Sequence, residues 1–308
     1  MPAPPEYPEV PHPHETTTGN GPGAVDFRDA SAQARNNPRM APPGADDWDC
    51  VPTAEHPEPV VLVHGTWGNT YSAWSGLAPQ LKEDGYCIFA PNLGEADITT
   101  GRGVQSLGPG VFATKDIALT AGNLADYVDA VLQVTGTYQF DMVGHSQGGL
   151  LARQYLKFNG GAEKVGRLVT LRATNHRTTL NGLGALDRTI GDLGRDLDPA
   201  LDYVIGEAGI QQVYDSPLLT ELNVDGDTVP GVNYTAIGSR YDTTTAPYES
   251  TFLTAGPGAT VENIVLQDGC EQDITCSPQV IDLVRNALSP GSPGSVEQVR
   301  CEPVTPYT

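Results

Sequence analysis

The sequence predicts an α/β architecture, a mostly parallel central sheet with helices on both faces. Three observations carry that reading. The run Pro59-Val60-Val61-Leu62-Val63 is continuously apolar, as in a strand buried on both faces. A second run, Tyr138 to Val143, leads directly into Gly144-His145-Ser146-Gln147-Gly148, after which Leu150, Leu151, Tyr155 and Leu156 recur at helical spacing. Extended and helical patterns then alternate down the chain without an internal repeat, the order that gives crossover connections and a covered sheet.

Taken in order, strands are expected at Val60–Val63, at Cys87–Pro91, where a short apolar run is closed by a proline, and at Gln139–Val143. Three more are expected at Val165–Leu171, Val232–Ile237 and Val261–Leu266, each rich in β-branched residues or leucine. Helices are expected at Ala121–Thr135, Gly149–Phe158 and Gln279–Leu288, where apolar residues recur every three or four positions. The Gly-rich stretch Asn181 to Gly209 reads as an insertion over the functional site, in the manner of a lid. Residues 1–48 form a Pro/Gly-rich N-terminal extension without sustained periodicity, 49–290 the α/β domain, and 291–308 a tail tied back by a cysteine.

Composition bounds what the chain does. At 308 residues it fits one large domain with tails, and 39% hydrophobic residues suffice for a core. No run approaches the roughly 18 apolar residues of a membrane span. The net charge is −21, and only four of the 17 basic residues are lysines, which argues against nucleic acid or anionic lipid as a partner. Met1 to Gly23 holds seven prolines and no apolar core of a leader, so it reads as the start of a mature secreted chain.

The residues Gly144 to Gly148 have the spacing of a serine nucleophile on a sharp strand-to-helix turn. Small residues at Gly144, Gly148 and Gly149 let the strand and helix approach. The strand Val60–Val63 ends in His64-Gly65-Thr66. A backbone N–H just after such a strand and the one just after the nucleophile together make an oxyanion hole, here at Thr66 and Gln147. His64, before a glycine at a strand end, reads as a residue that shapes the loop, and the turn directs His145 away from the serine.

Five cysteines are an odd number. Cys50 precedes the first strong strand and Cys87 opens the next, so the two are expected to be bridged. The chain-entropy model gives such a bridge about 4 kcal/mol. Cys270 and Cys301 are expected to tie the tail to the body, with Cys276 left over. The alternative is five reduced thiols in a cytosolic chain. No cysteine spacing suits a metal, and no cofactor is expected.

Taken together, these motifs make the chain similar to the secreted actinobacterial class 2 lipases of the α/β-hydrolase superfamily, over roughly Asp46 to Pro290. The resemblance rests on Pro59 to Gly68, Gly85 to Ala90, Val143 to Gly149, Thr174-Asn175-His176, Tyr234 to Asp242 and Leu266 to Cys270. It implies hydrolysis of carboxylic esters, triacylglycerols above all, by a secreted, monomeric enzyme whose partners are lipid or ester molecules; some relatives also cleave polyesters. Position and resemblance both select Asp242, on the loop after a strand downstream of Ser146, as the acid; Asp225 and Asp227, flanking Gly226, read as turn residues. The family's base is a histidine shortly after the segment Cys270 to Asp273, but here Ile274 to Pro278 runs straight into the last helix. The six histidines are His12, His14, His56, His64, His145 and His176, and none follows Asp242. His176 is the one remote candidate for the role. Arg172 and Arg177 stand where the family has small residues. The chain therefore reads as an ester hydrolase using Ser146 and Asp242 with its histidine missing, or as a silent relative that keeps the pocket to bind lipid or ester ligands.

Overall fold

The computed structural model describes residues 19, 23–24, 26–95, 108–176, 178, 206–213, 216–242, 244–266 and 274–289. Six strands form one sheet: β1 Val60–Val63, β2 Ile88–Phe89, β3 Phe140–His145, β4 Val165–Leu171, β5 Asn233–Ser239 and β6 Thr260–Leu266. Their order is β2-β1-β3-β4-β5-β6, and every neighbouring pair is parallel. This is the α/β-hydrolase arrangement that the sequence predicts.

Alternation along each strand explains why both faces are covered. Val61 and Val63 enter one hydrophobic cluster with Phe140, Met142 and Leu168, while Val60 and Leu62 enter a second with Val143 and Val169. Successive side chains of a strand point to opposite faces, so a strand covered on both sides is apolar at every position. On the first face pack α4 (Ile117–Thr135) and α5 (Gln147–Phe158). On the second pack α3 (Leu77–Glu83), Trp74 from α2 (Thr70–Trp74), and α8 (Pro278–Leu288) through Val280, Leu283 and Val284. Two short helices, α6 (Glu207–Gln211) and α7 (Pro217–Asn223), lie between β4 and β5 in sequence.

Local signals set the ends of these elements. The helix α4 begins four residues ahead of the expected Ala121 because the Asp116 side chain accepts the Leu119 N–H at 2.7 Å, which caps it. It ends where Gly136 turns left-handed at φ 69°. The second strand is shorter than expected, Ile88–Phe89 instead of Cys87–Pro91. Residues ahead of Cys50 also pack on the body. The helix α1 (Phe27–Asn36) buries Ala30 and Ala34 against Tyr71, and Trp48 stands edge-on to Tyr127.

Cys50 and Cys87 are bridged across 5.7 Å between Cα atoms, as the adjacency of their strands predicts. The Cys270–Cys301 pairing, Arg177, the segment 291–308 and most of the lid-like stretch 181–209 lie outside the described residues.

Candidate active site

The parallel register brings the chemistry-bearing residues to one edge of the sheet. Val63 pairs with Gly144, His145 with Leu171, and Leu171 with Ile237, so the chain leaves β1, β3, β4 and β5 at the same level. Immediately beyond lie Gly65-Thr66, Ser146-Gln147, Arg172, and the loop carrying Asp242.

Ser146 occupies the turn between β3 and α5 with φ 52° and ψ −122°, a region that residues with a Cβ rarely enter. Such geometry costs on the order of 1–3 kcal/mol and persists only where its surroundings impose it. Here the Ser146 N–H bonds the Leu171 carbonyl at 2.9 Å, fixing the turn to the neighbouring strand. A Cβ on Gly148 would fall 2.1 Å from the Val63 carbonyl oxygen, and one on Gly65 would fall 2.9 Å from the Ser146 Cβ. Glycine is therefore obligatory at both positions, for closeness of approach. Among the described residues no side chain hydrogen-bonds the Ser146 hydroxyl.

Thr66 is held by a residue that sequence reasoning passed over. Gln212 is fully buried; its Nε2 donates to Thr66 Oγ1 at 2.9 Å and to the Ala208 carbonyl at 2.8 Å, and its Oε1 accepts from Thr174 Oγ1 at 2.9 Å. One amide thus ties the loop after β1 to the loop after β4. A glutamine 146 residues from Thr66, beyond an irregular stretch, leaves no local signal.

The family model described as "alpha/beta hydrolase fold" matches residues 58–191, the stretch that contains β1, the Ser146 turn and β4. Two curated triacylglycerol lipases, from Pseudarthrobacter phenanthrenivorans and Burkholderia plantarii, are each 29% identical over 209 residues, 65% of this chain. The chain has the α/β-hydrolase fold. It spans about half the length of the curated relatives it matches, 56% and 49%. The solved structure of Aspergillus fumigatus lipase B shares the fold, with a TM-score of 0.61 at 16% identity over 99% of this chain and 68% of the other.

The carboxylate expected to serve as the acid has an unusual neighbour. Asp242 is nearly buried, its side chain 4% exposed. Its Oδ1 accepts the N–H groups of Thr244 and Thr245 at 2.8 and 3.0 Å, and its Oδ2 lies 3.8 Å from Arg172 Nε. Arg172 itself holds φ 45°, the left-handed region where a Cβ is strained, pinned by Arg172 N–H to the Ile237 carbonyl at 2.8 Å.

The histidines near this edge are committed elsewhere. His64 Nε2 accepts the Leu93 N–H at 3.0 Å, so the proton sits on Nδ1, which donates to the Gly65 carbonyl at 3.0 Å. Burial lowers His64 to about 4, partly opposed by that backbone bond, so the ring is neutral and shapes the loop as expected. Burial, and then the charge of Arg172, lower His145 well below the usual histidine range.

His176 faces two acceptors, the Ser250 carbonyl at Nδ1 and Asp227 Oδ1 at Nε2, both at 3.0 Å. Asp227, expected to be a turn residue beside Gly226, is in fact the centre of a buried ionic cluster. Its Oδ2 accepts the Thr254 N–H at 2.7 Å, and Arg153, 1% exposed, approaches its Oδ1 at 3.5 Å. Burial alone would raise the Asp227 carboxyl, but the bonds from His176 and Thr254 and the positive charges outweigh it and bring it down to about 2. Turn composition hid this role, because Gly226 does make the turn while the neighbouring carboxylate points inward.

Proposed function

We propose that the chain is a carboxylic ester hydrolase of the triacylglycerol-lipase type. Ser146 is the nucleophile, the backbone N–H groups of Thr66 and Gln147 are the oxyanion hole, and Asp242 is the acid. The observation that carries this reading is the strained backbone of Ser146, which glycines at 65 and 148 make room for. A turn held at that cost fits a residue that must stand clear of the sheet and meet a carbonyl carbon. Thr66 and Gln147 flank it from the β1 loop and the start of α5, where two amides can converge on a developing oxyanion. The reaction is attack of Ser146 Oγ on the ester carbonyl, loss of the alcohol, and hydrolysis of the acyl-serine by water.

Proton transfer is the weak step in this chain. The sequence has no histidine after Asp242, and both nitrogens of His176 are turned to acceptors other than the serine, the Ser250 carbonyl and the Asp227 carboxylate. Without a base the serine hydroxyl keeps its proton and attacks poorly. Removing the histidine of a serine triad costs on the order of 10⁶ in kcat, while an oxyanion hole and binding alone retain about 10³–10⁴ over water. A second reading follows from the Arg172–Asp242 contact: a silent hydrolase that binds lipid or ester ligands, its acid neutralised by a guanidinium. The Cys50–Cys87 bridge supports a secreted, extracellular location.

A fluorophosphonate probe separates the two readings, because it reports nucleophile activation directly. Labelling that disappears in Ser146→Ala, with p-nitrophenyl ester turnover that disappears alongside it, supports the hydrolase. A folded protein that neither labels nor turns over, yet binds a non-hydrolysable ester analogue, supports the silent reading.

A further inference from the structure

Gln212 belongs to a segment that the rest of the chain grips from several sides. Its backbone carbonyl accepts the Thr178 N–H at 3.2 Å, and Thr178 pairs with Val213 in a parallel bridge. Next to it, Gln211 Oε1 accepts the Ile117 N–H at 2.8 Å and Gln211 Nε2 donates to Asp116 Oδ2 at 2.5 Å, which fastens α6 to the start of α4. Within α6, the Ala208 N–H bonds the Thr114 carbonyl at 3.2 Å. The fully buried Gln212 amide is therefore an anchor that the fold holds still. Its orientation is fixed as well. The Ala208 carbonyl can only accept, so Nε2 faces it, and the second hydrogen of that nitrogen goes to Thr66 Oγ1.

Thr66 is the opposite case. It follows Gly65 and precedes Trp67, whose φ is 57°, and Gly68, in a loop with few side chains to hold it. Two residues further on, the Gly68 carbonyl accepts the Phe112 N–H at 3.0 Å. Among the described residues Gln212 alone hydrogen-bonds Thr66, and the Thr66 N–H itself meets no acceptor. An unpaired N–H suits an oxyanion donor, but such a donor is effective only when aimed, within about 3 Å of the developing charge. We propose that Gln212 is a positioning residue for ester hydrolysis, whose bond to the Thr66 hydroxyl aims the Thr66 N–H at the oxyanion. This role rests on the reading of Ser146 as the nucleophile and Thr66 as an oxyanion donor. Gln212 itself touches no reacting atom.

The test follows Ser146-dependent hydrolysis of p-nitrophenyl acetate by the intact protein, counted per folded molecule. Gln212→Met keeps the bulk of the side chain and removes its bonds. Deleting a whole oxyanion donor costs about 10²–10³ in kcat, so a donor that is present but misdirected should cost less, about tenfold. KM should stay the same, the mark of an interaction made in the transition state. Thr66→Val keeps the backbone N–H and deletes the same bond from its other end, so it should match Gln212→Met. Thr66→Ser retains the hydroxyl and should retain the parent kcat. The double Gln212→Met/Thr66→Val variant should be no slower than either single one, because the two changes remove one shared bond. If Gln212→Met does not fold, the contrast between Thr66→Val and Thr66→Ser decides. Three results would overturn the proposal: a parental kcat in folded Gln212→Met or in Thr66→Val, losses that multiply in the double variant, or a raised KM at constant kcat. In each of these the turnover still depends on Ser146, so the hydrolase reading survives. Turnover that persists undiminished in Ser146→Ala would remove that reading, and the positioning role with it.

Discussion

Asp227, just ahead of β5, and Asp242, just after it, both have nearly buried carboxylates, and the contrast between them bears directly on what chemistry this chain can do. Asp227 meets His176, a backbone N–H and the guanidinium of Arg153. Asp242 meets two backbone N–H groups and the edge of Arg172. Each carboxylate is therefore provided with donors and a positive neighbour, which is what burial demands. The two arrangements differ in what they can do with a proton. An imidazole takes up and releases one near neutral pH, whereas a guanidinium stays charged and only donates. The chain still builds a histidine–aspartate pair, but builds it with Asp227; on the loop where a serine would need one, Asp242 has an arginine.

The largest expected effect comes from reversing that assignment. A histidine-bearing segment inserted between Asp273 and Pro278, in an Arg172→Ala background, should raise ester turnover by several orders of magnitude. Doubling a loop costs only about 0.6 kcal/mol in closure entropy, so the fold should tolerate it. The gain should vanish in Ser146→Ala and drop sharply in Asp242→Asn. A folded insertion variant that stays inert would show that Asp242 is not positioned as a triad acid.

Breaking the other pair should damage stability instead. Asp227→Ala leaves the buried Arg153 guanidinium without its counter-charge, and removing one partner of a buried pair costs about 3–5 kcal/mol. Urea unfolding should register that loss, while the ester turnover of whatever remains folded stays the same. A fall in turnover per folded molecule would instead give the His176–Asp227 pair a part in the reaction.

Acid should act through a competition between buried groups. His64 is lowered by burial to about 4 from the usual 6.5, so below 6.5 the unfolded chain binds a proton that the folded chain refuses, and stability falls as pH drops toward 4. His145 acts in the same direction. Asp141 acts oppositely: burial, opposed by Arg167, raises it to about 6 from 3.8, so its protonation favours the fold as pH drops through that window. Asp227, lowered to about 2, adds a further loss only below 3.8. Melting temperature measured between pH 6 and 4 should therefore decline more steeply in Asp141→Asn than in the parent. Parallel curves would mean that Asp141 is ionised throughout.

The smallest effect is expected at Arg172 alone. Arg172→Gly relieves left-handed strain of about 1–2 kcal/mol, and it forfeits a contact with Asp242 that, at 3.8 Å, is too long for a charge-assisted hydrogen bond. The net change is small, so the melting temperature should hardly move or should rise slightly. Arg172→Ala keeps the strain, loses the contact, and should be the less stable of the two. The opposite order would assign Arg172 a larger structural role than its contact with Asp242.

The sequence by itself determined the sheet, the Ser146 turn and the Cys50–Cys87 bridge. Each is written in a local rule: a strand covered on both faces is apolar at every position, a turn where a Cβ would fall 2.1 Å from a neighbouring carbonyl oxygen admits only glycine, and cysteines at adjacent strand openings meet. The absence of a histidine after Asp242 was equally plain. The tertiary structure alone decided which charges meet. His176 and Asp227 are 51 residues apart, and Thr66 and Gln212 are 146 apart. Such meetings have no periodicity and no fixed spacing, because they arise from how loops descend onto the sheet's edge once the sheet has formed. Asp227 shows the difference most plainly: its glycine neighbour announced a turn, but only packing turned its carboxylate toward Arg153.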